Sequence, residues 1–220
     1  MRQPPRQLAL ALPHAESFGR EDFLPGPSNQ AALTLIESWP DWPARVVAVV
    51  GPEGSGKSHL AAIWAADAGA RFLAGRALTL SQVPPALATG ALVVEDVERP
   101  DERALFHLIN LAREDEAYVL LTTRTAPANW KIGLADLASR LRAVPSVVVS
   151  PPDDTLLRAL LVKLFADRQV LVDEALLTYL STRLERSFAA ARAAVDLLDR
   201  EALRRRRPIT RALAAELFER

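Results

Sequence analysis

The sequence contains no cysteine, and its three histidines, at positions 14, 59 and 107, are far apart. Disulfide bonds and a cysteine-bearing zinc site are therefore excluded, and the histidines show no metal-ligand spacing. No apolar run reaches the roughly 18 residues of a membrane span. The N-terminus lacks the basic region and long apolar core of a signal peptide. The formal net charge is zero, which excludes a chain that is strongly basic as a whole. A cytoplasmic protein without membrane contact is expected.

Apolar residues are plentiful: 50% of the 220 residues are hydrophobic, enough for a medium-sized core and a second, smaller one. Up to residue 150, short apolar runs alternate with helical stretches, which favours a parallel sheet with helices on both faces. The runs predict five strands, at 46–50, near 71–74, at 91–95, at 117–122 and at 146–149. After Pro151 and Pro152, only helical spacing remains.

This change of pattern divides the chain into three parts. Residues 1–16, which contain several prolines, are predicted to be a flexible N-terminal segment. Residues 17–150 form the predicted α/β core. Residues 151–220 form a predicted small all-α domain, the helical lid, which begins with a run of leucines at three-to-four-residue spacing.

Short polar side chains mark where several helices are predicted to start. Asp173, Ser187 and Thr210 are expected to be N-caps of three helices in the C-terminal domain. In the core, Asn29 or Ser28 is expected to cap the first helix.

Residues 51–58 read Gly-Pro-Glu-Gly-Ser-Gly-Lys-Ser and match the phosphate-binding loop Gly-x-x-x-x-Gly-Lys-Ser/Thr at every fixed position. An apolar β-branched run precedes the motif and a helical stretch follows it, as the motif requires. The glycines let backbone N–H groups turn towards phosphate oxygens, and the helix N-terminus adds a favourable dipole. Lys57 is expected to reach the β- and γ-phosphates, and the Ser58 hydroxyl to ligate Mg²⁺. The predicted nucleotide contacts here are Gly51, Pro52, Glu53, Gly54, Ser55, Gly56, Lys57, Ser58 and His59.

A second acidic site follows the third predicted strand, where four apolar residues run into Glu95 and Asp96. A phosphate-loop ATPase uses such carboxylates to hold Mg²⁺ and to orient the attacking water. Ser58, Glu95 and Asp96 are therefore the predicted metal-binding residues, and Asp96 is also a predicted catalytic residue. The alternative is a charged strand end in solvent. Asp usually comes first in such a pair, so the longer Glu95 is expected to shift the metal geometry.

The tip of the next strand carries Thr122 and Thr123. A polar residue there would lie between the loop and the acidic pair. Either threonine is expected to face a γ-phosphate or the attacking water, and Thr123 is the predicted catalytic residue. Threonine is also ordinary strand material.

Together, the loop, the acidic strand end, the polar strand tip and the helical C-terminal region resemble an AAA+ ATPase. Phe18 and residues 22–30, Asp-Phe-Leu-Pro-Gly-Pro-Ser-Asn-Gln, resemble a motif near the start of this module in the bacterial initiator DnaA and its relatives. In that group the segment borders the adenine pocket. The resemblance therefore implies nucleotide contacts by Phe23 and Leu24.

A second motif points to the same group. Residues 134–141, Leu-Ala-Asp-Leu-Ala-Ser-Arg-Leu, resemble the segment that carries the arginine finger in DnaA-like proteins. The resemblance implies that Arg140 is such a finger. The alternative is that Arg140 forms a structural salt bridge, since arginines are plentiful in this chain.

Two features of the initiator have no counterpart in the sequence. No DNA-binding helix-turn-helix region follows the helical domain, and residues 75–90 are too few for the initiator's extra helical insertion. Residues 7–12, Gln-Leu-Ala-Leu-Ala-Leu, instead resemble the peptide that binds the DNA polymerase sliding clamp. The alternative is an apolar tail that packs on this protein's own core. The predicted clamp contacts are Gln7, Leu8, Leu10 and Leu12.

A clamp-binding peptide on a DnaA-like core resembles the Hda family, regulators that inactivate DnaA by stimulating hydrolysis of its bound ATP. The resemblance implies two partners, the sliding clamp and the DnaA initiator, with Arg140 presented in trans to the ATP held by DnaA. Contact with DNA is expected to be indirect or weak, and a homodimer is left open. Two alternatives remain: a helicase-loader-type AAA+ ATPase and a non-hydrolytic adaptor that tethers a partner to the clamp.

The chain's own nucleotide, ADP or ATP with Mg²⁺, is expected to be bound with weak or no hydrolysis. In DnaA-like proteins a helix near the C-terminus places an arginine over the phosphates, and the matching position here is Ala189. Arg186 and Arg192 lie about one turn before and after it, and either could substitute. Arg204–Arg207 form a basic run, interpreted as solvent-exposed charge at a helix C-terminus in preference to a DNA contact.

Overall fold

The computed structural model describes residues 18–219, and the predicted clamp contacts Gln7, Leu8, Leu10 and Leu12 lie outside them. The described residues divide into two compact units, Phe18–Asp153 and 154–219. No helix within residues 18–219 is long and apolar enough to cross a membrane.

A sheet of five parallel strands forms the centre of the first unit, in the order β2-β3-β4-β1-β5. The strands are β1 Val46–Val50, β2 Arg71–Ala74, β3 Ala91–Glu95, β4 Tyr118–Thr123 and β5 Ser146–Val148. All five predicted strands are confirmed, but β4 is shifted by one residue, to Tyr118–Thr123, and β5 ends one residue earlier than predicted, at Val148. Because the strands are parallel, the segments that follow β1, β3 and β4 meet at one edge of the sheet.

Helices cover both faces of this sheet. They are α1 Gln30–Glu37, α2 Lys57–Ala68, α3 Val83–Leu87, α4 Glu102–Glu114 and α5 Ala135–Arg142, with 3₁₀ turns at Arg20–Asp22, Gly75–Ala77 and Pro127–Asn129. Side chains of β1 alternate between the two faces. Val46, Ala48 and Val50 pack in one core with α3, α4 and α5, whereas Val47 and Val49 pack in the other with α1 and α2. Burial on both faces explains why the strand is apolar throughout.

The second unit is helical, as predicted. Its helices are α6 Asp154–Asp167, α7 Glu174–Arg183, α8 Phe188–Arg205 and α9 Arg211–Phe218. The predicted N-caps are confirmed: the side chains of Asp173, Ser187 and Thr210 accept backbone N–H groups of the following turn at 2.8, 3.0 and 3.3 Å. The repeated apolar residues of α6 are buried, namely Leu156, Leu157, Leu160, Leu161, Leu164 and Phe165.

Candidate phosphate-binding site

The loop at residues 51–58 leaves the C-terminal end of β1, and its shape depends on glycine. A Cβ added at Gly51 would lie 2.4 Å from the carbonyl oxygen of Val149, so no larger residue fits beside the end of β5. The φ angles of Gly54 and Gly56 are 71° and 98°, in the left-handed region that favours glycine. The motif glycines are therefore required by the turn itself.

The N-terminus of α2 opens into this turn. Its N-cap residue, Gly56, has no side chain to accept the first N–H groups of the helix, and those groups have no partner within the helix. Ser55 is 2% exposed, and its hydroxyl has no hydrogen-bond partner among the described residues. Unpaired donors, a positive dipole end and an unpartnered buried hydroxyl fit a phosphate group.

Lys57, the first residue of α2, is only 6% exposed. Its Nζ donates hydrogen bonds to the carbonyl oxygens of Gly51 and Pro52, both at 2.8 Å. Burial lowers the pKa of Lys57, and the nearby carboxylate of Asp96 acts in the opposite direction. Because both hydrogen-bond acceptors are neutral, a phosphate oxygen would give this ammonium group a stronger, charge-assisted partner.

The backbone of the acidic pair is fixed from two sides. Asp96 has a φ of 52°, and its N–H donates to Oγ1 of Thr122 at 3.0 Å. From the other side, Gly75 comes so close that an added Cβ would lie 2.9 Å from the carbonyl oxygens of both Glu95 and Asp96. Glu95 is half-buried and Asp96 is exposed, so the Asp96 carboxylate is accessible at the same edge as the loop.

The acidic pair and Ser58 fit magnesium only if a ligand contributes oxygens. Within residues 18–219, no cluster of three or more His, Cys, Asp or Glu side chains could hold a metal by itself. Mg²⁺ in phosphate-transfer sites is usually held by one or two carboxylates together with phosphate oxygens and water. Ser58 is exposed at the start of α2, where a phosphate-bound ion would lie.

The two threonines at the end of β4 have structural roles. Thr122 accepts the Asp96 N–H described above. Thr123 is 0% exposed, and its hydroxyl donates to the carbonyl oxygens of Val97 and Thr125, which lie at 3.1 and 3.0 Å. This placement argues against the predicted catalytic role of Thr123, because its hydroxyl is enclosed by backbone instead of facing the loop.

Arg124, which follows β4 directly, is not among the predicted site residues. Its Nη2 lies 3.0 Å from Oε2 of Glu53 in the loop, and its Nε lies 3.7 Å from Oε1 of Glu98. The predicted end of this strand at residue 122 placed a threonine at the tip. The strand in fact continues to Thr123, which moves the exposed position to the arginine.

The lead-in segment, residues 18–29, packs against the residue that follows the loop. The rings of Phe18 and Phe23 meet His59 edge-on, with centroid distances of 5.4 and 5.2 Å. Nε2 of His59 lies 2.9 Å from the carbonyl oxygen of Gly19. Two predicted nucleotide contacts, Phe23 and His59, are thus brought together beside the loop, and both are buried.

Asn29 organises the second half of the lead-in segment. It occupies the N-cap position of α1, but its side chain does not cap the helix. Instead, Oδ1 accepts the N–H of Gly26 at 2.8 Å, and Nδ2 donates to the carbonyl oxygen of Leu24 at 3.0 Å. The prediction of a capping side chain at Asn29 is therefore wrong. Leu24, also a predicted nucleotide contact, is half-buried and held through its backbone.

Arg140 lies at the opposite edge of the sheet from the loop. Its guanidinium carbon is 5.1 Å from the ring centroid of Phe106, a cation–π distance. With Arg45 and Arg113, it lines a cleft of about 370 Å³ that reaches the first residue of β1. The loop follows the last residue of the same strand. The length of β1, about 13 Å, therefore separates this cleft from the loop.

The lid positions singled out in the sequence all lie in the second unit. Ala189 is exposed in the first turn of α8, and Arg192 is half-buried on the same helix. Arg186 forms an ion pair with Asp154 at 2.9 Å. Of the two proposed substitutes for the missing lid arginine, Arg186 is thus engaged within its own unit.

Three of the four arginines in the basic run at the end of α8 form ion pairs with two glutamates. Arg204 and Arg205 contact Glu201 at 2.6 and 2.8 Å. Arg205 and Arg207 contact Glu216 on α9 at 2.8 and 3.1 Å. These pairs favour the interpretation as charge at a helix end over a contact with DNA.

A five-stranded parallel sheet in this order, with a phosphate loop after β1, an acidic pair at the end of β3 and a helical unit, defines an AAA+ fold. The structure is similar to domain III of the replication initiation protein DnaA from Thermotoga maritima, with a TM-score of 0.74 and 16% identity over 92% of this chain and 95% of that chain. It is also similar to AMPPCP-bound DnaA from Aquifex aeolicus, with a TM-score of 0.66 and 15% identity over 84% of this chain and 68% of that chain. The Holliday junction branch migration motor RuvB from Thermotoga maritima gives a TM-score of 0.73 and 16% identity over 92% of this chain and 72% of that chain.

At these identities the similarity shows the fold alone. No protein-family model and no curated protein matches the sequence.

Proposed function

We propose that the chain is a nucleotide-bound AAA+ regulator of replication initiation, of the Hda type. It binds the DNA polymerase sliding clamp through residues 7–12 and stimulates ATP hydrolysis by a DnaA-type initiator through Arg140. The observation that carries the proposal is the position of Arg140, at the sheet edge opposite the chain's own phosphate loop.

The chain's own site is proposed to hold ADP or ATP with Mg²⁺. The glycine turn, the open N-terminus of α2 and the neutral partners of Lys57 all fit a polyphosphate. Ser58, Glu95 and Asp96 would hold the metal, whose role is to neutralise charge on the phosphates. A DnaA of the same fold binds the nucleotide analogue AMPPCP. Ala189 leaves the lid without the expected arginine, so slow turnover of the chain's own nucleotide is expected.

The surroundings of Arg140 support a role in trans. Within residues 18–219 its guanidinium forms no ion pair and lies against the ring of Phe106, which disfavours the alternative of a structural salt bridge. The neighbouring Arg45 is engaged by Glu116 at 3.5 Å and by the ring of Tyr118. Among the residues that the structure describes, Arg140 is thus a cation without a carboxylate partner, and it lines an open cleft. An arginine finger of this kind raises the rate of phosphoryl transfer by about 10³- to 10⁵-fold.

Clamp binding is proposed from residues 7–12. The Gln7 amide would bond backbone groups at the rim of the clamp's pocket, and the leucines would fill an apolar groove. A short segment that orders on binding gives modest affinity, roughly micromolar. Such affinity suffices for recruitment to clamps on DNA, where the initiator is to be inactivated.

Reconstitution with DnaA-ATP, DNA-loaded clamp and the full chain tests the proposal, with released phosphate as the readout. Arg140→Ala should keep clamp and nucleotide binding and lose the stimulation. Arg142→Ala is the matched control, because Arg142 is an exposed arginine at the end of the same helix. Without DnaA, turnover should stay below about one per second, the lower end for kinases.

Other outcomes would select a different function. Stimulation that survives Arg140→Ala would remove the finger assignment. Capture of the clamp without any stimulation would indicate a non-hydrolytic adaptor. A pull-down that retains the replicative helicase instead of the clamp would indicate a helicase loader.

A further inference from the structure

We propose that Arg113, at the end of α4, is a second phosphate contact in the cleft that Arg140 lines. The two guanidinium groups together bind the terminal phosphate of the nucleoside triphosphate that the DnaA-type partner holds. The inference rests on the proposed function, which supplies this ligand, and adds a residue to it. The observation that carries it is the composition of the cleft: among the described residues, its only polar side chains are Arg45, Arg113 and Arg140.

The cleft combines these three cations with apolar walls. Its other lining residues are Ala44, Val46, Ile109, Ala143 and Val144, so no carboxylate of the described residues lines it. Its volume of about 370 Å³ lies within the range of roughly 300–1,000 Å³ that is usual for small-ligand sites. A cleft with charges of one sign and walls of low dielectric concentrates the electric field and attracts counter-ions. The cleft therefore favours an anion.

Helix α4 directs Arg113 towards Arg140. Phe106, Ile109 and Arg113 are spaced three and four residues apart, so they lie on one face of the helix. At the start of this face, the ring centroid of Phe106 is 5.1 Å from the guanidinium carbon of Arg140. Further along it, Ile109 and Arg113 line the cleft. The two arginines thus reach the same space from different helices.

Within residues 18–219, neither Arg113 nor Arg140 forms an ion pair, whereas Glu116 engages Arg45 at 3.5 Å. Arg113 is exposed and Arg140 is half-buried. A basic residue in the last turn of a helix also complements the helix dipole. That effect accounts for a positive charge at position 113, but not for its convergence with two further arginines from β1 and α5.

A terminal phosphate suits two guanidinium groups. It has three oxygens that it does not share with another phosphate, and one guanidinium fork engages two oxygens. With Arg140 on two of them, the third is left for Arg113. ADP lacks this phosphate, so the contact by Arg113 distinguishes a partner that holds ATP from one that holds ADP.

Equilibrium binding of the full chain to DnaA on DNA-loaded clamp tests the inference, with DnaA loaded with AMPPCP or with ADP. The chain is preloaded with ADP in every arm, so that only the partner's nucleotide differs. Arg113→Gln should weaken binding to the AMPPCP form by about tenfold or more and to the ADP form by about threefold at most. Arg113→Lys keeps the charge without the fork and should fall between wild type and Arg113→Gln. Arg142→Gln is the matched control, because Arg142 is an exposed arginine that does not line the cleft.

Glu116→Gln tests the charge of the cleft while leaving Arg113 intact. The side chain of Glu116 is 82% exposed, so the substitution should not affect folding. It releases Arg45 at the edge of the cleft, and binding to the AMPPCP form should tighten by up to about fivefold. This gain should vanish when Arg45→Gln is added. If Arg113→Gln lowers Tm strongly, this measurement decides, and unchanged binding in Glu116→Gln would contradict an anion site.

Equal losses for the AMPPCP and ADP forms in Arg113→Gln would overturn the inference, because Arg113 would then contact the partner's surface and not its terminal phosphate. A loss of the same size in Arg142→Gln would also overturn it, since any nearby charge would then suffice. Stimulation that depends on Arg140, with unchanged binding in Arg113→Gln, removes this inference and leaves the proposed function standing. Absence of both binding and stimulation in the wild type removes both.

Discussion

Gly75→Ala should destabilise the first unit and disturb the acidic pair at the same time. Gly75 follows β2 and faces the end of β3, where an added Cβ would lie 2.9 Å from two carbonyl oxygens and 3.0 Å from Cα of Val97. All three atoms belong to the backbone, so no side-chain rotation can relieve the contact. Overpacking of this kind costs about 1–3 kcal/mol. For a chain of this size, that lowers Tm by roughly 2–12 °C.

Gly133→Ala separates this contact from the general effect of replacing glycine. A Cβ at Gly133 would lie 3.6 and 3.7 Å from the carboxylate oxygens of Glu102, an ordinary contact. Restricting the unfolded chain at a compatible site stabilises by about 0.4–1 kcal/mol, so this variant should match or exceed the wild-type Tm. Thermal unfolding of the nucleotide-free proteins measures both. A Tm for Gly75→Ala equal to that of Gly133→Ala would refute the close approach.

Two further substitutions test the loop and the lead-in segment. Burial lowers the pKa of Lys57 in the folded protein below the ordinary 10.5. At a pH between the folded pKa and 10.5, the unfolded chain therefore binds more protons than the folded one. Urea titrations of the nucleotide-free proteins measure the free energy of unfolding of the wild type and of Lys57→Met. The wild-type value minus the Lys57→Met value should rise as pH approaches 10.5. A difference that does not change with pH would contradict the buried charge. Asn29→Ala leaves the N–H of Gly26 and the carbonyl of Leu24 unpaired, which should cost about 1–3 kcal/mol. Asn29→Asp keeps the acceptor for Gly26 and should lose less, whereas an unchanged urea midpoint in Asn29→Ala would rule out the structural role of this amide.

The sheet and the helical unit were predictable because both rest on local pattern. A strand that is buried on both faces must be apolar throughout, and the run at 46–50 is apolar throughout. A helix that buries one face must carry apolar residues every three or four positions, and α6 has this spacing. The N-caps at Asp173, Ser187 and Thr210 were predictable for the same reason, since a cap bonds to backbone only three residues away.

The details of the site depended on contacts between distant segments. Successive side chains on a strand point in opposite directions. An error of one residue in the predicted end of β4 therefore decides whether Thr123 or Arg124 is expected to face the loop. That Arg124 reaches Glu53 depends on β4 lying next to β1, which no local pattern encodes. The sequence places Asn29 at a helix start, but its side-chain amide bonds to the backbone of Gly26 and Leu24, which precede the helix. The capping rule does not predict this choice of partners.

The direction of Arg140 is set by α4 and not by the loop. At the start of α5, the carboxylate of Glu102 accepts the N–H groups of Gly133 and Leu134 at 2.9 and 2.8 Å. One turn further along α4, Phe106 lies against the guanidinium of Arg140. Contacts with α4 thus hold both ends of α5. The strand β1, which is buried on both faces, separates the cleft that Arg140 lines from the phosphate loop by a fixed distance, the length of the strand. The proposed nucleotide binding at Lys57 and the proposed role of Arg140 in trans therefore depend on different contacts. If both proposals hold, substitutions at the two residues should separate the two activities.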